Sequence, residues 1–322
     1  MAPASALVTG ASGFVGSNLV ARLLADGCRV TALVRSSSVL PGEWRDRVTI
    51  ILCDDFSESN LRQVCRDPFE RAPFETVFHL AAYGVLPGNR DSEAMLRINV
   101  ALPAALARLC SEWGARLIMA GSSAEYRRPR TNDPIVESAP LEPGKLYGSS
   151  KAAGGLMASA IASESGTGFR LLRLFKAYGA GEAPHRLLPA LVKDLRRGER
   201  VALSAGTQVM DFVYIDDIIE ALIRTDAHCR AKGGAAAWNV ATGRGHSVRE
   251  FAESVARAMH ADVSLLGFGA IAMRKDDEPW LVGAPDLLRA ELGWQPSTEL
   301  DAGVRASVAA LLSPGGRGSA AK

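Results

Sequence analysis

A chain of 322 residues with a formal charge of +2, 48% hydrophobic and 22% charged residues has the composition of a globular protein able to bury a sizeable core. Near-neutral charge argues against a nucleic-acid partner, short basic clusters such as "RRPR" reading as solvated faces, and no unbroken apolar run of membrane-spanning length stands out. The five cysteines, Cys28, Cys53, Cys65, Cys110 and Cys229, are scattered and odd in number, which speaks for free thiols in a cytoplasmic protein and against a disulfide framework or a metal site.

In chain order, "ALVTG" is an apolar run of strand length and "FVGSNLVARLLADG" has helical spacing closed by glycine. "RVTALVR", "VTIILCD", "TVFHLAA" and "ARLIMAGSS" follow as strands, with "EAMLRINVALPAALARLCSEWG" as a helix before the last. Strands separated by helices require crossovers, and crossovers imply a parallel sheet covered on both faces. The expected fold class is α/β, a Rossmann-type doubly wound parallel sheet with a smaller mixed α/β substrate lobe. Beyond Tyr178 the alternation weakens: "RLLPALVKDLRRG", "DDIIEALIRTDA" and "SVREFAESVARAM" read as helices, "MDFVYI" and "WNVAT" as strands. The division expected is 1–178 for the dinucleotide domain with its catalytic residues, 179–312 mainly for the substrate lobe with some chain returning to the sheet, and 313–322 as a disordered tail.

"TGASGFVG" joins the first strand to the first helix, with Gly10, Gly13 and Gly16 three apart. Glycines there let the backbone turn tightly against a pyrophosphate whose charge sits at the helix N-terminus, with Ser12, Phe14 and Val15 lining the same turn. The second strand ends in "LVRSSS", so Arg35 stands where an NAD site would carry an acid, and Ser36 and Ser37 add hydroxyls suited to a 2′-phosphate. NADP(H) is therefore favoured over NAD(H). Asp54 after the third strand faces the adenine, and "HLAA" supplies Leu80, Ala81 and Ala82 where a ring or ribose must approach backbone. In "LYGSSKAAGG", Tyr147 and Lys151 lie four apart, on one face of a helix.

Together with Asn99 in "RINV", "GSSAEY", "RLFKAYG", "DFVYIDD" and "LGWQP", these segments resemble the extended short-chain dehydrogenase/reductase family of nucleotide-sugar enzymes over nearly the whole chain. The resemblance implies a nucleotide-diphosphate-sugar substrate, a Ser, Tyr and Lys catalytic set, Asn99 among the coenzyme contacts, and homodimers packed through the helix at 93–114 and the one carrying Tyr147. Tyr147 is then the proton donor or acceptor at the sugar oxygen, its phenol lowered toward neutrality, a change of about 4 kcal/mol, by the ammonium of Lys151. Ser123 is expected to donate to the same oxygen, in preference to Ser122, because it directly precedes "AEY".

"GSSAEY" and "RKDDEPWLVGAP" are similar to segments of the GDP-4-keto-6-deoxy-mannose reductase and GDP-mannose dehydratase subgroup, which carries Glu125, Arg274 and Asp277 over as substrate-binding residues. Two positions depart from the family pattern: Lys176 replaces an Asn and Met210 replaces the Arg of "RDF", so Lys176 is expected to supply the cation toward the substrate phosphates. The reaction expected is an NADPH-dependent reduction of a nucleotide-activated 4-keto-6-deoxy sugar. The alternatives are a 4-epimerase or 4,6-dehydratase that recycles bound NAD(P), and a catalytically silent nucleotide sensor.

Overall fold

The structure is a computed structural model that describes residues 1–85, 88–127, 131–142, 144–273 and 278–313. Its strands are β1 Ser5–Thr9, β2 Arg29–Val34, β3 Val48–Leu52, β4 Thr76–His79, β5 Arg116–Ser122, β6 Phe169–Leu174, β7 Lys176–Tyr178, β8 Val201–Leu203, β9 Val209–Met210, β10 Phe212–Tyr214, β11 Ala235–Val240, β12 His246–Ser247, β13 Leu266–Phe268 and β14 Trp280–Leu281. Its helices are α1 Phe14–Ala25, α2 Glu58–Arg71, α3 Ser92–Met95, α4 Leu102–Trp113, α5 Leu146–Ser165, α6 Leu187–Arg196, α7 Ile215–Lys232, α8 Val248–Ala258, α9 Asp286–Leu292 and α10 Leu300–Leu312.

Seven parallel strands form one sheet in the order β11-β6-β5-β4-β1-β2-β3. The order reverses between β1 and β4, and in such a fold the crevice at the carboxyl ends of those strands is where ligands bind. Successive residues of β1 serve opposite faces: Ala6 and Val8 pack with Leu19, Leu23, Ile218 and Leu222 from α1 and α7. Leu7 packs with Leu61, Leu106 and Ala158 from α2, α4 and α5. Burial on both faces explains why β1 reads as an unbroken apolar run rather than an alternating one. Chain returns to this sheet after Tyr178, since α7 and β11 belong to it.

The smaller lobe has its own core, in which Leu191, Phe251, Val255, Val304 and Val308 surround Phe212. Phe212 stacks on Phe251 with centroids 4.3 Å apart. Between α3 and α4 the helix widens into a π-helical stretch, Leu96–Ala101. Pro103 lies just downstream and has no N–H to return to the carbonyl of Asn99, which removes one α-helical bond at that point. Among the described residues the run Ser92–Trp113 is the one helix long and apolar enough to cross a membrane, and most of it is buried within the protein.

Candidate active site

Gly10 adopts a left-handed conformation (φ 67°), and a Cβ on it would lie 2.6 Å from the Ala81 nitrogen. A Cβ on Gly16 would lie 2.1 Å from the Gly10 carbonyl oxygen, so both positions require glycine. Gly13 closes the turn by donating its N–H to Gly10 O at 3.0 Å. Helix α1 then starts at Phe14 with no side-chain cap and no acidic residue in its first turn, leaving first-turn N–H groups without intrahelical partners. Ser12 and Gly13 are exposed, with Phe14 and Val15 half-buried. An uncapped helix start behind a glycine cradle fits the pyrophosphate of a dinucleotide.

At the ends of β2 and β3, Arg35, Ser36 and Asp54 are exposed together. Ser36 donates its backbone N–H to Asp54 Oδ1 at 3.1 Å and its hydroxyl to Oδ2. These bonds from Ser36, with a smaller contribution from Arg35, hold the Asp54 carboxyl below its usual range, so the pocket carries a firm negative charge beside Arg35. After β4, Leu80 and Ala81 are half-buried, their backbone pressed against the Gly10 turn, and Ala82 is exposed.

Helix α5 brings Tyr147 and Lys151 to the end of β5. The approach is close: a Cβ on Gly148 would lie 2.0 Å from the Ala124 carbonyl oxygen. The Ser122 side chain lies close enough to the Tyr147 phenol to lower it as a hydrogen-bonding neighbour. Burial pushes the phenol up to about 12; the Ser122 bond and the Arg186 charge oppose this and the Glu125 charge adds to it. Lys151 is 2% exposed and donates from Nζ to Ala120 O at 2.7 Å. Burial lowers its ammonium, against the pull of Glu125. His79, fully buried at the end of β4, shares a 2.8 Å hydrogen bond with Thr9 through Nδ1. Burial, with help from Lys151, pushes its imidazole down to about 3, so it is neutral.

Several expected site residues stand elsewhere. The serine facing Tyr147 is Ser122, the last residue of β5, and not Ser123, which opens the short 3₁₀ turn Ser123–Glu125 and is 8% exposed. Neighbouring residues of a strand point to opposite faces, so a one-residue register change reverses the assignment. Glu125 does not face substrate: it has no exposed surface, and its Oε1 accepts the Ser122 N–H at 2.8 Å while Oε2 accepts Arg173 Nε at 2.8 Å. Asn99 is also fully buried, with its amide committed to both backbone groups of Tyr83 (2.9 and 2.8 Å) and to Ser150 Oγ (2.9 Å). It clamps the loop after β4 to α5, with both amide N–H groups already donated to Tyr83 O and Ser150 Oγ. Lys176 is half-buried on β7, near enough to Glu182 for its charge to act on that carboxyl. Arg274 and Asp277 lie outside the described residues.

Three charged residues near the site went unread in the sequence. Arg186, at the start of α6, reaches Tyr147 electrostatically and lies 3.8 Å from the buried Glu182. The loop before it is tied to α1, where Asn18 Nδ2 donates to Ala180 O at 3.1 Å. Arg173 is the third. An arginine inside the apolar run "FRLLRL" is a usable signal, because a buried guanidinium demands an acid.

A family profile described as "Epimerase: NAD dependent epimerase/dehydratase family" matches residues 6–241. The chain belongs to that family. A UDP-glucose 4-epimerase from Streptomyces lividans is 29% identical over 308 residues, spanning 90% of this chain and 91% of its own. A dTDP-glucose 4,6-dehydratase from Streptomyces griseus is 28% identical over 314 residues, spanning 94% and 92%. The solved structure "MoeE5 in complex with UDP-glucuronic acid and NAD" matches at 29% identity with a TM-score of 0.80, over 95% of this chain and 98% of that one. In this NAD dependent epimerase/dehydratase, the glycine turn and the β2–β3 edge are the groups suited to a nicotinamide dinucleotide, and Ser122, Tyr147 and Lys151 stand at the carboxyl edge of the same sheet.

Proposed function

We propose that the protein is a nucleotide-sugar 4-epimerase that oxidises and re-reduces C4 of the sugar while retaining its nicotinamide coenzyme. The observation that carries this reading is the withdrawal of Glu125 into a buried ion pair, with neutral Ala124 beside it. A 4,6-dehydratase needs an additional acid or base at C5 and C6, and this turn offers none. The epimerase relative supports the same choice.

Tyr147 moves the proton at the C4 oxygen, Ser122 donates to that oxygen as charge develops on it, and Lys151 provides the nearby cation. The bound dinucleotide supplies hydride acceptance and return. With the phenol near 12, only about one molecule in 100,000 carries a phenolate at pH 7. The free protein therefore presents Tyr147 as an acid, and the base form requires added positive charge close to the hydroxyl.

A second reading, the NADPH-dependent 4-ketoreductase, is favoured by one feature, the exposed Arg35 suited to a 2′-phosphate. Asp54 beside it and the NAD named in the MoeE5 complex favour NAD instead, so the coenzyme reading is NAD retained with NADP tolerated. The cations Lys176 and Arg186 suit a nucleoside diphosphate sugar, and the UDP- and dTDP-sugar names of the relatives draw the reading away from a GDP-sugar. Exposed Leu96, Leu156 and Met157 on the packed pair of helices at 92–113 and α5 support the homodimer.

Incubation with UDP-glucose, UDP-galactose, UDP-glucuronic acid and dTDP-glucose, read by NMR of the sugar and by absorbance at 340 nm, tests the reading. An epimerase interconverts a C4 pair with no net change in absorbance. Stoichiometric loss of NADPH on a 4-keto sugar, with no interconversion of any pair, would establish the reductase instead.

A further inference from the structure

Lys151 poses an electrostatic problem. Its ammonium is buried, hydrogen-bonds the Ala120 carbonyl, and has the neutral His79 for a neighbour. A cation in such surroundings tends to lose its proton unless an anion lies close by. The carboxylate in reach is Glu125, whose charge acts on both Lys151 and Tyr147. We propose that Glu125, paired with Arg173 behind the carboxyl end of the sheet, is a positioning residue that fixes Ser122 beside Tyr147 and sets the charge around that phenol.

Geometry supports this assignment, which rests on Ser122, Tyr147 and Lys151 as the reacting set. The Ser122 N–H donates to Glu125 Oε1 and the Ser122 hydroxyl accepts the Ala124 N–H at 3.2 Å, so the carboxylate and the serine fix one another through a reciprocal cap. Arg173 is held in turn: NH1 donates to the Tyr126 hydroxyl at 3.0 Å and to Glu137 O at 3.4 Å, and its guanidinium lies 4.8 Å over the Tyr126 ring. The Tyr126 hydroxyl donates to Asn239 Oδ1 at 2.7 Å, and Asn239 donates to Ile135 O at 2.8 Å. The network thus ties the 123–126 turn to β6 and β11. Folding alone does not require such a pair, because apolar residues of similar volume serve stability as well as a buried salt bridge or better. A charge retained at the cost of its desolvation, three residues after the serine beside the catalytic phenol, points to an electrostatic role.

The charged groups acting on Tyr147 are Glu125 from the turn and Arg186 from the start of α6, while Lys151, one turn further along its own helix, sends its Nζ to Ala120 O. Those facing Glu125 are Arg173 and Tyr126, with Lys151 and Tyr147 opposite. Because Glu125 raises both Tyr147 and Lys151, neutralising it lowers both.

The test uses the full chain and its Glu125→Gln variant, which keeps an acceptor for the Ser122 N–H but loses the charge. Tyrosinate absorbance at 295 nm is titrated with saturating NAD and again without it, subtracting the Tyr147→Phe protein to isolate the one phenol. The Tyr147 midpoint is expected about one pH unit lower in Glu125→Gln. The double variant Glu125→Gln/Arg173→Met, which leaves no unpaired cation, is expected to recover melting temperature and give an intermediate midpoint. Coincident midpoints in wild type and Glu125→Gln would overturn the proposal. The readout involves no sugar turnover, so failure of the epimerase reading leaves it intact and is recognised separately.

Discussion

Exchanging the two neighbouring serines one at a time separates two assignments that differ by a single residue. Ser122 ends β5 with its side chain close enough to Tyr147 to lower the phenol, whereas Ser123 is buried in the turn that follows. Ser122→Ala removes a donor aimed at the oxygen where charge develops, which costs about 100- to 1,000-fold in kcat. It also deletes the hydrogen bond that lowers the Tyr147 phenol, so the pH at which the oxidising half-reaction gains activity moves upward. Ser123→Ala leaves the donor in place and is expected to change kcat by about threefold or less. The assay is sugar oxidation followed as reduction of bound NAD across pH 6 to 10, with binding of NAD measured alongside. A 100-fold loss in Ser123→Ala, with Ser122→Ala near wild type, would refute the geometry assigned to this strand end.

Gly16→Ala places a Cβ within 2.1 Å of the Gly10 carbonyl oxygen, so the turn must open; dinucleotide binding is expected to weaken by more than about tenfold in a fluorescence titration. Arg35→Ala is expected to weaken NADPH binding about tenfold while leaving NADH within about twofold. His79 binds its proton near 3 when folded and near its ordinary value of 6.5 when unfolded, so the unfolded chain takes up more protons across that window and stability falls as pH drops from about 6.5 toward 3. By pH 4.5 the loss is about 3 kcal/mol, and urea midpoints of His79→Leu should show a shallower acid slope than wild type. Leu156→Glu places a charge on the exposed face of α5; if that face forms the proposed homodimer, light scattering reports dimers for wild type and monomers for the variant.

Most of the nucleotide-binding half was legible because its signals are local. The apolar run of β1, the glycines before α1 and the four-residue spacing of Tyr147 and Lys151 each follow from backbone geometry that adjacent residues impose. The register at the end of β5 was not, since a strand of alternating direction followed by a tight turn makes Ser122 and Ser123 equivalent until their facing is known. Glu125 illustrates the same limit: its partner Arg173 lies 48 residues away on the neighbouring strand. Asn99 was assigned to the coenzyme because the π-helical widening that turns its amide toward Tyr83 and Ser150 depends on Pro103 and tertiary packing. In the smaller lobe, strands of two or three residues such as β9 and β12 are too short to carry a period.

The central claim is that the Tyr147 phenol moves the proton at the sugar oxygen. Turnover and NAD binding measured in parallel for Tyr147→Phe test it most directly: the claim predicts turnover reduced by at least about 1,000-fold with NAD affinity within about threefold of wild type. Turnover at the wild-type rate in the Phe variant would contradict it.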